Sequence, residues 1–244
     1  MRAIVVYKLL ISNTLKPQQR SPHHPVSQQH LFIGATFNKI PFMKFEYIQD
    51  IDTKIPIPEN YSDCIRLIKS DAFRHSGRKK SFVTIFFESF SRISVDFSIW
   101  FRLSQHKGLL YPFTKLMLHR YKRKYGIFIP AKVKIGYGLY IQHCFGIIIN
   151  SHAVIGNNVN IGQLTTIGSN LSSAAHIGDE VYIGPGCNIV DDVAVHSKTC
   201  IGAGAVVTRD LPCDVTAAGV PAKILHDGGH PEYIKNQWPK EWMI

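Results

Sequence analysis

The sequence predicts a mainly β fold, a triangular parallel β-helix of six-residue repeats preceded by an α-helical segment. Three observations predict it. A large aliphatic residue recurs every six positions between Ile135 and Val207. Glycine follows that residue at 136, 156, 162, 168, 178, 184 and 202. Upstream, Ser81–Leu103 carries aromatic residues at helical spacing with charges between them.

Along the chain, composition divides the 244 residues into four parts. Residues 1–42 hold five basic residues, no acidic residue and a Pro/Gln/Ser/His-rich stretch from Lys16 to His30. They are expected to be a disordered extension, or to precede a true start at Met43. Residues 43–126 are expected to form an α-helical cap, because an otherwise open terminal coil of a solenoid needs covering. Residues 127–211 hold the repeats, and residues 212–244 are expected to be a loop and tail that close the site. The net charge of +11 is concentrated: residues 1–126 carry +13, and each of the two remaining stretches carries −1. The excess is a basic collar beside a slightly acidic body, and starting at Met43 it would leave +6 overall.

The cysteines, Cys64, Cys144, Cys187, Cys200 and Cys213, show no C-x-x-C spacing, which argues against a disulfide framework and a zinc knuckle. A reducing cytoplasm is the default. The apolar stretch Ser81–Leu103 is broken by Glu88, Arg92, Asp96 and Arg102, so it is not read as a bilayer span.

The repeat register is Ile135, Ile141, then after two inserted residues Ile149, Ile155, Ile161, Ile167. After four more inserted residues it continues with Ile177, Ile183, Ile189, Val195, Ile201 and Val207. The fifth residue of each hexad is small or apolar, a series that includes Phe145 and Leu171. Period six is neither the 3.6 of a helix nor the 2 of a half-buried strand. It suits a prism whose short strands each turn one large side chain inward, with three hexads to a coil.

These repeats resemble the hexapeptide-repeat acyltransferases, and among them the serine O-acetyltransferase branch with its relatives that acetylate sugars and bacterial polysaccharides. The resemblance rests on Tyr125-Gly126-Ile127, Ile135-Gly136-Tyr137-Gly138-Leu139, His143 ahead of Gly146-Ile147, Ile201–Val207 and Gly219-Val220-Pro221-Ala222-Lys223. It implies a left-handed helix, a homotrimer (or a dimer of trimers) and acetyl-CoA as co-substrate, with no metal. It also implies that His143 is the general base, taking a proton from the acceptor hydroxyl and returning it to the departing sulfur. An imidazole suits that role at neutral pH. By the same resemblance, Gly168 lies near the thioester end of coenzyme A, Pro185 and Ala203 line the pantetheine groove on successive coils, and Lys223 meets a phosphate.

Departures from the family narrow the acceptor. Phe128 stands where the serine enzymes have the acid that orients the histidine, fifteen residues earlier. Gln142 replaces an Asp directly before it, and Ser173-Ala174 replaces an Arg-His pair. A zwitterion left unpaired in a closed site loses recognition. The expected acceptor is therefore a hydroxyl of a sugar or polysaccharide precursor, contacted by Gln142 and Asn150. Asn150 or a backbone carbonyl would orient His143. Serine acetylation is the alternative, and a non-catalytic β-helix scaffold is the alternative of another class. A carbonic anhydrase of this prism needs a histidine pair five residues apart, but Val181 sits five after His176. His152, His176 and His196 are thus read as exposed corner residues. The basic helical segment is open to contact with a membrane surface, and no recognised motif points to nucleic acid.

Overall fold

The computed structural model describes residues 43–243. The extension expected over 1–42 lies outside the described residues. The first element is a hairpin absent from the sequence reading, β1 (Lys44–Ile48) antiparallel to β2 (Thr53–Ile57). It buries Ile48, Ile51 and Ile55 against Val154 of the repeats.

Four helices follow: α1 (Tyr61–Ser76), α2 (Phe82–Glu88), α3 (Ile93–Ser104) and α4 (Tyr111–Tyr125). Local chemistry sets their ends. The Asn60 side chain accepts from the Asp63 N–H at 3.0 Å while the Asp63 carboxylate accepts from the Glu59 N–H, a reciprocal N-terminal cap for α1. Gly77 ends α1 at φ 64° and Gly126 ends α4 at φ 64°, the left-handed stop that glycine adopts most cheaply. Helix α3 is the most enclosed, with Phe97, Ile99, Phe101 and Leu103 buried in one core shared with the repeats.

The repeats wind as a parallel β-helix of three faces. Face one stacks β3 (Lys134–Ile135), β6 (Val154–Ile155), β9 (His176–Ile177) and β12 (Ala194–Val195). Face two stacks β4 (Tyr140–Ile141), β7 (Asn160–Ile161), β10 (Tyr182–Ile183) and β13 (Cys200–Ile201), and is extended by β15 (Val215–Ala218) and β16 (Lys223–Asp227). Face three stacks β5 (Ile148–Ile149), β8 (Thr166–Gly168), β11 (Asn188–Val190) and β14 (Val206–Val207). Each repeat aliphatic pairs with the one a coil above, as in Ile141, Ile161, Ile183 and Ile201, and all twelve are buried. The period-six reading thus locates the inward aliphatic residue of each of the twelve repeats. With the helices in front, this is the left-handed β-helix class that the sequence predicts.

Two positions differ from the sequence reading. Phe145 and Leu171 are 57% and 53% exposed, and the inward places before Ile149 and Ile177 belong to Ile147 and Ala175, both fully buried. Each insertion shifts the phase, so the residue two before the strand aliphatic is the one that packs. His176 is not a free corner residue either: its Nδ1 lies 2.9 Å from Asp50 Oδ2 at the hairpin turn.

The helical cap is fastened to the first coil by polar bonds as well as apolar packing. Arg74 of α1 donates to the carbonyls of Gly138 (2.7 Å) and Lys235 (2.9 Å) and to the Asn160 side chain (2.6 Å). The tail returns to the same place. Trp238 exchanges two hydrogen bonds with the Asn158 side chain, and Trp242 lies edge-on to Phe73 under the Lys79 ammonium.

Candidate active site

His143 lies in the two-residue insertion where faces two and three meet. That corner continues upward through Gln163-Leu164, Pro185-Gly186 and Ala203-Gly204. The Leu164 N–H donates to Phe145 O (3.0 Å), Gly186 to Gln163 O (2.8 Å) and Gly204 to Pro185 O (2.8 Å), so the residues form one column. Neighbouring strands are about 4.8 Å apart, which places Ala203 about 14 Å above the His143 level. Lys223 opens β16 opposite Ala218 at the top of the column.

Glycine precedes each upper step of the column because the geometry demands it. A Cβ on Gly162 would stand 2.6 Å from the Pro185 nitrogen, and one on Gly184 would stand 2.6 Å from the Ala203 nitrogen. Gly204, by contrast, faces open space. Leu164 adopts φ 60°, a costly conformation for a side chain with a γ branch, and its Cδ2 fills the place a Cβ on Gly146 would take. The result is a flat strip with the exposed His143 imidazole at its lower end. That imidazole makes no hydrogen bond to another described residue, while the His143 carbonyl accepts from the Phe145 N–H. Such a strip suits the extended arm of an acyl-CoA, whose phosphates would end near Lys223.

The remaining expected residues are not brought to this corner. Gly168 closes β8 at the other edge of face three, where its carbonyl accepts from Asp191. Asn150 stands at that same far edge. Its amide donates to Ser169 O (3.1 Å) and its Oδ1 accepts from the His152 N–H (2.9 Å), so within this chain it does not orient His143. Phe128 lies under Ile148 on face three with the Lys122 ammonium 4.1 Å above its ring. One chain therefore shows His143, Pro185 and Ala203 on one edge of face three, and Asn150 and Gly168 on the opposite edge.

A second feature, missed from sequence, adjoins Gln142. A pocket of about 330 Å³ opens on face two, lined by Tyr140 and Tyr182 and roofed by Glu232 and Lys235 of the tail. Its signal was legible in principle, since both tyrosines occupy the outward place before an inward isoleucine. His75 forms one wall, and burial, helped by Arg92, pulls its pKa down to about 4, so it is neutral at pH 7. Burial also lowers Arg74 to about 10, which leaves it charged, but three of its donors are committed to the fold. Among the described residues, no three His, Cys, Asp or Glu side chains converge as a metal site.

The fold resembles that of the hexapeptide-repeat acyltransferases. The family described as bacterial transferase hexapeptide (six repeats) matches residues 174–209. Among curated proteins, the serine acetyltransferase of Escherichia coli K12 is 39% identical over 111 residues, 44% of this chain and 40% of that protein. The serine acetyltransferase of Staphylococcus epidermidis is 33% identical over 139 residues, 54% of this chain and 65% of that protein. The chain spans less than two thirds of the length of these relatives. Among solved structures, serine acetyltransferase from Brucella abortus in complex with coenzyme A aligns with a TM-score of 0.53 at 26% identity, covering 69% of each chain. The Neisseria gonorrhoeae enzyme in complex with serine aligns with a TM-score of 0.51 at 26% identity, covering 68% of this chain and 69% of that one.

Proposed function

We propose that this chain is an acetyl-CoA-dependent O-acetyltransferase with His143 as its general base. The observation that carries the reading is the position of an exposed imidazole at the foot of the Gln163–Pro185–Ala203 column with a lysine at its top. Acetyl-CoA supplies an activated thioester. The protein's own part is to remove the hydroxyl proton at a His143 nitrogen and to return it to the departing sulfur, a contribution of about 10²–10⁴-fold.

The split of the site residues between two edges of face three supports a trimer. Packed around a threefold axis, one protomer's His143 edge meets its neighbour's Gly168 and Asn150 edge, and the exposed Phe145, Ile148 and Leu164 become covered. A reducing cytoplasmic setting accords with five free thiols, four of them buried.

Serine is the acceptor that the relatives support. The Gln142 pocket offers groups of both signs, Glu232 and Lys235, for an ammonium and a carboxylate, and so supplies from the tail what the missing acids and the Arg-His pair would have supplied. The second reading is a sugar hydroxyl, favoured by Tyr140 and Tyr182 flanking the same pocket with amide groups beside them. Thiol release from acetyl-CoA, measured for wild type and His143→Ala with serine and with a panel of sugars, tests both. Equal release by the two forms with every acceptor would overturn the enzyme reading. Activity with sugars alone would overturn serine.

A further inference from the structure

A cavity away from the His143 column carries a separate inference. It has a volume of about 470 Å³ and lies between α4 and the segment Ile127–Lys132 that leads into the first coil. Its floor is apolar: Ile127, Phe128, Ile129 and Pro130. Its walls are cationic, with Lys107, Lys115, Lys122 and Lys132 joined by His119. Tyr111, Lys115, Leu118 and Lys122 recur at helical intervals, so one face of α4 looks into it.

Nothing among the described residues neutralises this set. No carboxylate among the described residues pairs with any of the four lysines, although Lys44, Lys80 and Lys134 elsewhere each find a glutamate. The sequence contains no Asp or Glu between Asp96 and Asp179, so the segments that line the cavity, residues 107–132, carry none of their own. Among the described residues, two of these ammonium groups instead meet rings: Lys115 lies 5.6 Å from the Tyr111 centroid and Lys122 lies 4.1 Å from the Phe128 centroid. Like charges gathered on one helix face oppose folding unless a counter-charge sits among them.

We propose that this cavity binds an organic phosphate with an apolar portion. The phosphate oxygens sit among the lysines, and the apolar portion rests on Ile127, Phe128 and Ile129. Lysines act as point charges for phosphate and tolerate several phosphate geometries. A diphosphate ester answers both halves of the cavity, charge at the walls and hydrocarbon on the floor. The inference is independent of the O-acetyltransferase reading, because neither His143 nor the column takes part.

The test is calorimetric binding to the full chain, with inorganic pyrophosphate, farnesyl diphosphate and phosphatidylglycerol vesicles as probes. Saturable binding of pyrophosphate, binding of farnesyl diphosphate at least about tenfold tighter, and weakening of both by salt are expected. The variant K115Q/K122Q/K132Q should bind both at least about tenfold more weakly while unfolding at or above the wild-type temperature, since repulsion is relieved. Phe128→Ala should weaken farnesyl diphosphate and leave pyrophosphate unchanged, and Lys44→Gln, on the hairpin, should change neither. Unchanged binding in the triple variant, or binding to the vesicles with neither soluble probe retained, would overturn the proposal.

Discussion

Arg102 grips Asp71 with two parallel bonds, Nε to Oδ2 at 2.8 Å and Nη2 to Oδ1 at 3.0 Å, and both side chains are sealed from water. Every other polar edge of the pair is also satisfied. Asp71 accepts from Ser98 Oγ and from the Leu139 N–H, and Arg102 donates to the Ile135 and Gly136 carbonyls. The pair therefore joins α1, α3 and the first coil in a single contact. Removing one partner leaves an uncompensated buried charge, so Arg102→Met should cost about 3–5 kcal/mol of stability in urea unfolding. A loss below about 1 kcal/mol would show that the pair does not hold the cap.

His143 is exposed and makes no bond that the fold relies on. His143→Ala should leave the unfolding free energy within about 0.5 kcal/mol of wild type while acetyl transfer is lost. A large fall in stability would assign the residue a structural role and remove the ground for calling it the base.

Along the column, the tightness of packing should outweigh backbone angle. Gly184→Ala places a methyl 2.6 Å from the Ala203 nitrogen and 2.8 Å from the Ile201 oxygen, where the neighbours are backbone and cannot step aside. It should cost about 1–3 kcal/mol or more. Gly204→Ala, at φ 70° but with nothing within 4 Å, should cost about 1–2 kcal/mol, by the left-handed conformation alone. Thermal unfolding of the two variants ranks them, and the reverse order would refute the packing argument.

His75 makes stability depend on acid. Burial, with Arg92 next in weight and Arg74 and Lys80 adding to it against Asp71, lowers its pKa in the folded protein from 6.5 to about 4. The unfolded chain then binds the extra proton between those values. His75 favours folding in full above pH 6.5, and that contribution drains away as pH falls towards 4, by about 3 kcal/mol at most. His75→Gln should flatten the stability profile over that window, and an unchanged slope would show that other groups set it.

The tail is held by Trp238, which is 7% exposed and packs edge-on against Phe73 and Trp242. Trp238→Ala should cost about 3 kcal/mol and open the Gln142 pocket to protease attack between Gly228 and Lys240. Cleavage at the wild-type rate would contradict a docked tail.

What the sequence disclosed follows from what a repeat can encode. Ile135 through Val207 were legible because one inward side chain per strand is a strict condition of the prism, and a period needs no knowledge of partners. Phe145 and Leu171 were misread because an insertion restarts the phase from the following strand and not from the preceding one. The hairpin at Lys44–Ile57 escaped notice because its apolar face is short and is completed only by Val154, far along the chain. His143, Pro185 and Ala203 could be placed on one corner by counting hexads. Which edge of face three carries Asn150 depends on where each strand ends, and the Tyr140–Tyr182 pocket exists only because a tail from the far end of the chain roofs it.

That return of the tail has a temporal consequence. Arg74 donates to the carbonyl of Lys235, a residue 161 positions later, and Asn236 donates back to the Arg74 carbonyl. The guanidinium that steadies the earliest coil waits, in a chain emerging from the ribosome, for a segment made after every repeat. The repeats can stack one upon another as they appear, but the latch across face two closes only once Lys235 and Asn236 have followed them. A copy cut short before Lys235, however well its coils have stacked, displays an open face two.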